Sequence, residues 1–421
     1  MSNNSIYFFA EQQIDFAIWS TLADIIRKEK PGCHLELIYS LRDRSKNYSF
    51  SHFLSAFDNI HVVEHVSYYK RGIWRKGLTL RTFLFAVRNN FPSAYRVLRE
   101  LKKINFSPDS IAFINNGTST NQALFLRRVK FDPNVTSILF LSPDCVKDNS
   151  NNEDYVPYPN RSAYINLHLY FFGTAPLDVF WIRTPDNIRT NYREFHFRRD
   201  PADYVFQLSY PMRYKDKKEN QILIPLIKSN NELTEHGIST TVFVGQPHYW
   251  IEGFPRLTQE QFYLRLNQII SLVKEKHSSQ RLLYKRHPGE SDEKFTKIDM
   301  SGFEIESSVS SEALFFNDSS IATVYAFSSN SVQVAASFGI TSYYIYNLFD
   351  ANNLGVPETI QRHWNSRWCS EAHPEMNIRS IDDWMNGKND YEPQDLEKKI
   401  YSSTVKVLKE VGALEALSER N

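Results

Sequence analysis

RLLYKRHPGE, Arg281 to Glu290, opens as a short apolar run and closes on Lys285, Arg286 and His287, followed at once by Pro288 and Gly289. An apolar run of this length, bounded by breakers, reads as a buried strand. Pro288 lacks an amide hydrogen and has a fixed φ, while Gly289 permits a sharp reversal, so regular structure stops at His287. The strand thus delivers three cationic or titratable side chains to its carboxyl end. In an open parallel sheet that end borders the ligand crevice.

Outward from this stretch the same rhythm repeats. TTVFVG (240–245) precedes it as a strand, with a helical stretch from about Thr258 to Lys276 between them. After it come FEIE (303–306), a helix near Ser311, the strand IATVYAF, a helix from Ser328 and the strand TSYYIYNLF. Nearer the start, SIYFFA, LELIYS, NIHVVEHV, SIAFINNG and SILFLSPD read as buried strands, with a helix from about Asp15 to Lys28 after the first. Strands alternating with helical patterns predict parallel α/β sheets. Between Asn149 and Arg213 the periodicity blurs and prolines interrupt it. A charged, then polar tract from Lys215 to Asn231 marks the boundary, giving domains 1–215 and 216–421, the second ending in a helix. The expected architecture is two Rossmann-like domains facing a cleft.

Size agrees, because 421 residues exceed what one hydrophobic core usually supports. With 49 basic and 48 acidic residues the net charge is +1, so any polyanion partner must be met by a local patch. Cys33, Cys145 and Cys369 are odd in number and widely spaced, which suggests neither a disulfide framework nor a zinc site and fits a reducing cytoplasm. The opening MSNNSIYFFAEQQIDF lacks the pattern of a secretory signal, and no apolar run approaches the length of a membrane span. Aromatic residues make up 14% of the chain. Aromatic-rich cores are the simplest account; a cleft with rings for stacking on a sugar or base is the other.

His287 suits proton donation to, or a charge-assisted hydrogen bond with, a leaving phosphate; the plain alternative is a loop histidine ending a strand. Ser328 and Ser329 fall where a strand gives way to helical spacing. Hydroxyls and amides at a helix start can hold a phosphate, although serine there is also ordinary capping. Glu312 opens the helix SEALFF, where the helix dipole favours an acid, or where it accepts hydrogen bonds from ribose hydroxyls. The sequence contains no DxD, GxxxxGK[ST], GxGxxG, HExxH or GxSxG. A monophosphate leaving group needs only a histidine, hydroxyls and a helix end, without a metal ion, which points to a nucleoside monophosphate donor.

TTVFVGQP, the LTQEQ helix start and YKRHPGE, in that order, resemble the bacterial lipooligosaccharide sialyltransferase family, and SEALFF followed by AFSSNSV is similar to a motif pair shared with other bacterial sialyltransferases and polysialyltransferases. The resemblance covers roughly the carboxyl-terminal half. It implies a GT-B glycosyltransferase, independent of metal, that uses a CMP-nonulosonic acid donor bound by the second domain and a glycan acceptor bound by the first. On this resemblance His287 is the general acid or phosphate ligand, Ser328 and Ser329 bind the CMP phosphate, and Glu312 holds the ribose, with Lys285, Arg286 and Pro288 lining the same CMP site.

The amino-terminal half departs from the family pattern, which carries two acids and a glycine after a strand. Here Asn115, Asn116 and Gly117 stand in that place. Asparagine cannot take a proton at neutral pH, so the three become acceptor-binding candidates, or a plain turn, and Asp144 becomes the first candidate for the base. Residues 70–103 are rich in Lys, Arg and aromatic side chains, which suits an anionic membrane surface carrying a lipid-linked glycan as well as it suits a solvated helix face. No nucleic-acid motif accompanies them. The expected location is cytoplasmic, peripheral at the inner face of a bacterial inner membrane. Two alternatives stay open: a CDP-polyol phosphotransferase or NDP-sugar glycosyltransferase, and a catalytically silent protein that binds glycan or nucleotide.

Overall fold

The computed structural model describes residues 5–40, 50–65, 91–115, 120–130, 132–141, 179–180, 196–197, 202–210, 221–227, 238–246, 256–349, 374–391 and 396–414. The chain forms two compact units. The first comprises Met1–Ser209, Tyr214–Pro225 and Ile400–Asn421, and the second Tyr210–Arg213 and Leu226–Lys399. This differs from the single break expected at 215/216. The last helix was expected in the second domain, yet from Ile400 onward the chain belongs to the first.

In the first unit the elements are β1 (Ser5–Ala10), α1 (Gln13–Glu29), β2 (His34–Tyr39), α2 (Ser51–Leu54), β3 (Asn59–Val62), α3 (Phe91–Lys102), β4 (Ser110–Asn115), α4 (Thr120–Lys130) and β5 (Val135–Leu141). A short antiparallel pair, β6 (Val179–Phe180) and β7 (His196–Phe197), precedes β8 (Tyr204–Ser209) and β9 (Gln221–Leu223). Seven strands make one parallel sheet in the order β3-β2-β1-β4-β5-β8-β9. The last two lie in or beyond the proline-interrupted stretch and escape a reading based on periodicity. β1 and β4 are buried throughout, as strands covered on both faces must be.

The second unit holds β10 (Thr240–Val244), α5 (Arg256–Lys276), β11 (Arg281–Lys285), α6 (Asp292–Phe295), β12 (Glu304–Glu306), α7 (Ser311–Asn317), β13 (Ile321–Ala326), α8 (Ser331–Ser337), β14 (Thr341–Tyr344) and α9 (Ile381–Met385). Its five strands run parallel in the order β12-β11-β10-β13-β14. Each sheet therefore begins with its first strand in the middle, and the order reverses beside it, between β1 and β4 in one and between β10 and β13 in the other. These are the topological switch points of a Rossmann-like fold, where ligands bind outside the carboxyl ends of the strands.

Many of the described aromatics serve the cores. Phe8 stacks on Phe113 at 5.3 Å between ring centroids, Phe9 on Phe125 at 4.8 Å, and Tyr325 on Tyr343 at 5.2 Å. The final helix, α10 (Glu397–Glu410), buries Ile400, Thr404, Val407 and Leu408. Tyr401 donates its hydroxyl to Glu29 of α1, and the Lys28 ammonium lies 4.8 Å from the Tyr401 ring centroid.

Candidate active site

At the carboxyl edge of the second sheet, Val244 pairs with Lys285 on one side and with Ala326 on the other. Two residues beyond that row stand Gln246, His287 and Ser328. Each follows its strand end by two residues, Gln246 after the central strand and the other two after the strands on either side of it. Gln246 accepts through Oε1 from the Ser328 amide at 3.2 Å and from its hydroxyl at 3.4 Å. The switch point is bridged by a side chain that sequence reading quoted only as part of GQP.

The turn after β11 is held from inside. Glu290 is buried; its Oε1 accepts from the Tyr284 hydroxyl at 2.7 Å and its Oε2 from the His287 amide at 3.3 Å. The Glu290 amide closes the turn on the His287 carbonyl at 2.9 Å. Burial raises the Glu290 carboxyl above its ordinary range, against those two hydrogen bonds and the charges of Arg286 and Lys285. Gly245 packs against the same pair. A Cβ there would stand 2.7 Å from Glu290 Oε2 and collide with the Tyr284 hydroxyl.

His287 is half-buried, and its Nδ1 accepts from the Gly289 amide at 2.9 Å. A ring nitrogen that accepts carries no proton, so the neutral imidazole holds its hydrogen on Nε2. Gly289 thus sets the tautomer as well as the turn. Pro288 is exposed.

Lys285 and Arg286 are engaged within the protein. Lys285 is only 2% exposed, and its ammonium donates to the Arg286 carbonyl at 2.8 Å. Burial lowers its pKa to about 8, while the charges of Glu306, Glu312 and Glu290 work the other way. The Arg286 guanidinium donates to the Glu290 carbonyl at 3.1 Å and to Asp292 at 2.5 Å, and stacks 4.6 Å from the Phe295 ring centroid. Both cations hold the turn together. Glu312 is the second residue of α7, behind the Ser310 cap whose hydroxyl accepts from the Ala313 amide at 3.1 Å. Burial raises its carboxyl, opposed by its own backbone amide, the Ser310 hydroxyl and the Lys285 charge.

The serines differ from expectation in one respect. α8 begins at Ser331 with Asn330 at its cap position, so Ser328 and Ser329 lie in the turn before it. The Ser329 hydroxyl oxygen accepts from the Ser331 amide at 3.2 Å. Ser328 thus stands at the sheet edge, held by Gln246, and not within the helix.

In the first unit Asn115 ends β4 and is buried. Its amide nitrogen donates to Asp15 Oδ1 at 2.6 Å, a pairing across 100 residues of sequence. Asn116, Gly117 and Asp144 lie outside the described residues, as does 70–90 of the basic region. In the part described, Arg96 pairs with Glu64 at 2.7 Å and Lys103 with Glu100 at 2.8 Å, while Ala94, Val97 and Leu101 turn into the core. In this stretch charged side chains lie exposed over apolar ones that face the core. Among the described residues no helix is long and apolar enough to cross a membrane, and no group of three His, Cys, Asp or Glu is placed to hold a metal ion.

No protein-family model matches the chain, and no curated protein matches it. Among solved structures it is similar to the UDP-GlcNAc 2-epimerase of Methanocaldococcus jannaschii, at 9% identity and a TM-score of 0.48 over 97% of this chain and 99% of that one. It is also similar to a UDP-glucosyltransferase from Polygonum tinctorium, at 11% identity and 0.43 over 99% and 95%, and to a family 9 glycosyl transferase from Veillonella parvula, at 12% and 0.36 over 98% of each.

Proposed function

We propose that the chain is an inverting glycosyltransferase that moves a sialic acid or related nonulosonic acid from a CMP donor to a hydroxyl of a surface glycan, of lipooligosaccharide, O-antigen or capsule. One observation carries the reading: His287, Gln246 and Ser328 follow the ends of three adjacent strands at the switch-point edge, and the Gly289 amide leaves the His287 proton on Nε2. A phosphate oxygen that gains charge as the glycosidic bond breaks needs a donor in that place. The Nε2 hydrogen supplies one, and the Ser328 hydroxyl, on rotating away from Gln246, supplies a second; both strengthen as charge develops in the transition state. Glu312, beside Lys285, is the candidate for the ribose hydroxyls. The site works without a metal ion in this proposal, and the acceptor is lipid-linked, presented to a cytoplasmic enzyme at the membrane face.

The test has two arms. A thermal-shift series with CMP, UDP, CDP and GDP should show selective stabilisation by CMP, through mass action on the native state. His287→Ala should lower CMP release from CMP-sialic acid by about 100-fold or more with donor binding reduced much less. Selective stabilisation by UDP or CDP would move the donor to one of the other nucleotide classes. Near-normal turnover in His287→Ala would remove the mechanism.

A further inference from the structure

The acid in the turn after β11 does more than close it. Glu290 is 6% exposed, and each of its carboxylate oxygens faces a donor, Oε1 the Tyr284 hydroxyl at 2.7 Å and Oε2 the His287 amide at 3.3 Å. Oε2 also lies where it leaves no room for a Cβ on Gly245, at the end of β10. The Gly245 amide in turn donates to the Lys285 carbonyl at 2.9 Å, and the residue after Gly245 is Gln246, which holds Ser328. One carboxylate thus packs between the ends of two strands, against the backbone that carries His287 and the backbone that leads to Gln246.

A count of hydrogens shows which form of the acid this arrangement requires. A carboxylate only accepts, and here it receives one hydrogen on each oxygen. A protonated carboxyl brings a hydrogen of its own, which needs an acceptor. The groups closest to it are donors: the Tyr284 hydroxyl and the Lys285 ammonium of β11, the Arg286 guanidinium with its partner Asp292 of α6, and the His287 amide. Further out, Tyr263 of α5 acts on the Tyr284 hydroxyl, and Glu306 of β12 and Glu312 of α7 act on Lys285.

A proton on Oε2 would therefore meet the His287 amide hydrogen, and one on Oε1 would meet the hydroxyl hydrogen of Tyr284, a side chain 1% exposed. Either way a buried donor loses its acceptor, and the turn relieves this by moving. Burial raises the Glu290 carboxyl, which brings its protonation nearer to neutral pH than that of an exposed glutamate.

We propose that Glu290 is the positioning residue of the donor site: as a carboxylate it fixes where His287 stands, and on taking a proton it releases the turn and turnover falls. This rests on the transfer reaction proposed above. Glu290 touches no reacting atom and acts through the backbone of His287. The ionised fraction grows with pH, so the rate rises with pH through the titration of Glu290 and is lost on its acid side.

The test uses the full chain and follows release of CMP from CMP-N-acetylneuraminic acid against pH. Glu290→Gln is neutral and turns an NH2 towards one of the two donors, so it should lower the rate about tenfold to 100-fold and abolish the acid limb. Glu290→Asp, which keeps the charge on a shorter arm, should restore part of the rate together with the limb. Tyr284→Phe removes a hydrogen bond that favours the charged form and should move the limb to higher pH. With heavy nitrogen in the histidines, the His287 amide signal, assigned by its loss in His287→Gln, should move upfield as Glu290 takes its proton and stand still in Glu290→Gln. A Glu290→Gln rate within about threefold of wild type across the profile would overturn the proposal, as would an acid limb unmoved in Tyr284→Phe or a His287 amide signal that ignores pH in the wild type. A wild type that releases a different nucleotide ends the CMP reading and leaves Glu290 to be judged by the same profile with that donor; a wild type that releases none ends both.

Discussion

Asp15 is a carboxyl placed where an acid is expensive. Burial pushes its pKa up to about 6 from 3.8, against three hydrogen bonds that favour the charged form. The sign of the consequence is definite. Between those two values the native state binds more protons than the unfolded chain, so stability falls as pH rises from about 4 to about 6. The full displacement corresponds to about 3 kcal/mol. In Asp15→Asn this slope should become shallower, the buried Glu290 and Glu312 carboxyls keeping their share, and denaturant midpoints measured from pH 4 to pH 7 would show it; a slope as steep as that of the wild type would mean that Asp15 carries none of it. None of this was legible in FINNGTST, where Asn115 reads as a turn residue or an acceptor ligand, because its partner lies 100 residues away. His287 was legible, since Pro288 and Gly289 announce the strand end locally.

At the scale of the element, the turn after β11 shows how a short stretch reaches its shape. Apolar runs and breakers locate β1, β2, β10, β11 and β13 to within a residue, whereas NIHVVEHV and TSYYIYNLF run four and five residues past the ends of β3 and β14. Interior ties were hidden: Glu290 back to Tyr284 and the His287 amide, Arg286 forward to Asp292, and Gly245 from the neighbouring strand. The helix after β13 was placed three residues early because SSNS reads equally as cap or first turn. Gly245→Ala should wedge the Tyr284–Glu290 pair apart. Overpacking of this kind costs about 1–3 kcal/mol, hence a drop in Tm of several degrees, and the displaced turn should weaken nucleotide binding as well. Calorimetry with and without CMP checks both; an unchanged Tm with unchanged binding would show the pair to be looser than its geometry implies.

For the whole molecule, two α/β units were evident in the alternation of strands and helices, whereas the division of the chain between them was not. A sequence read from left to right has no means of announcing that its last segment returns to its first domain. Ile400, Val407, Leu408, Val411 and Ala413 are buried and belong with the first unit. Each large aliphatic side chain so placed contributes about 1.5–3 kcal/mol. A chain ending at Lys399 should therefore lose hydrogen-exchange protection in 5–39 and 110–141, while 240–344 keeps its protection. Equal loss in both would contradict the assignment.

That returning segment also sets an order of assembly during synthesis. Translation finishes Leu226–Lys399 before it makes the residues that cover the amino-terminal unit, so the half encoded second can be complete while the half encoded first still has an apolar seam open. Until Ile400–Asn421 has been made and has emerged from the ribosome, the nascent chain carries that exposed seam, and chaperones would meet it there.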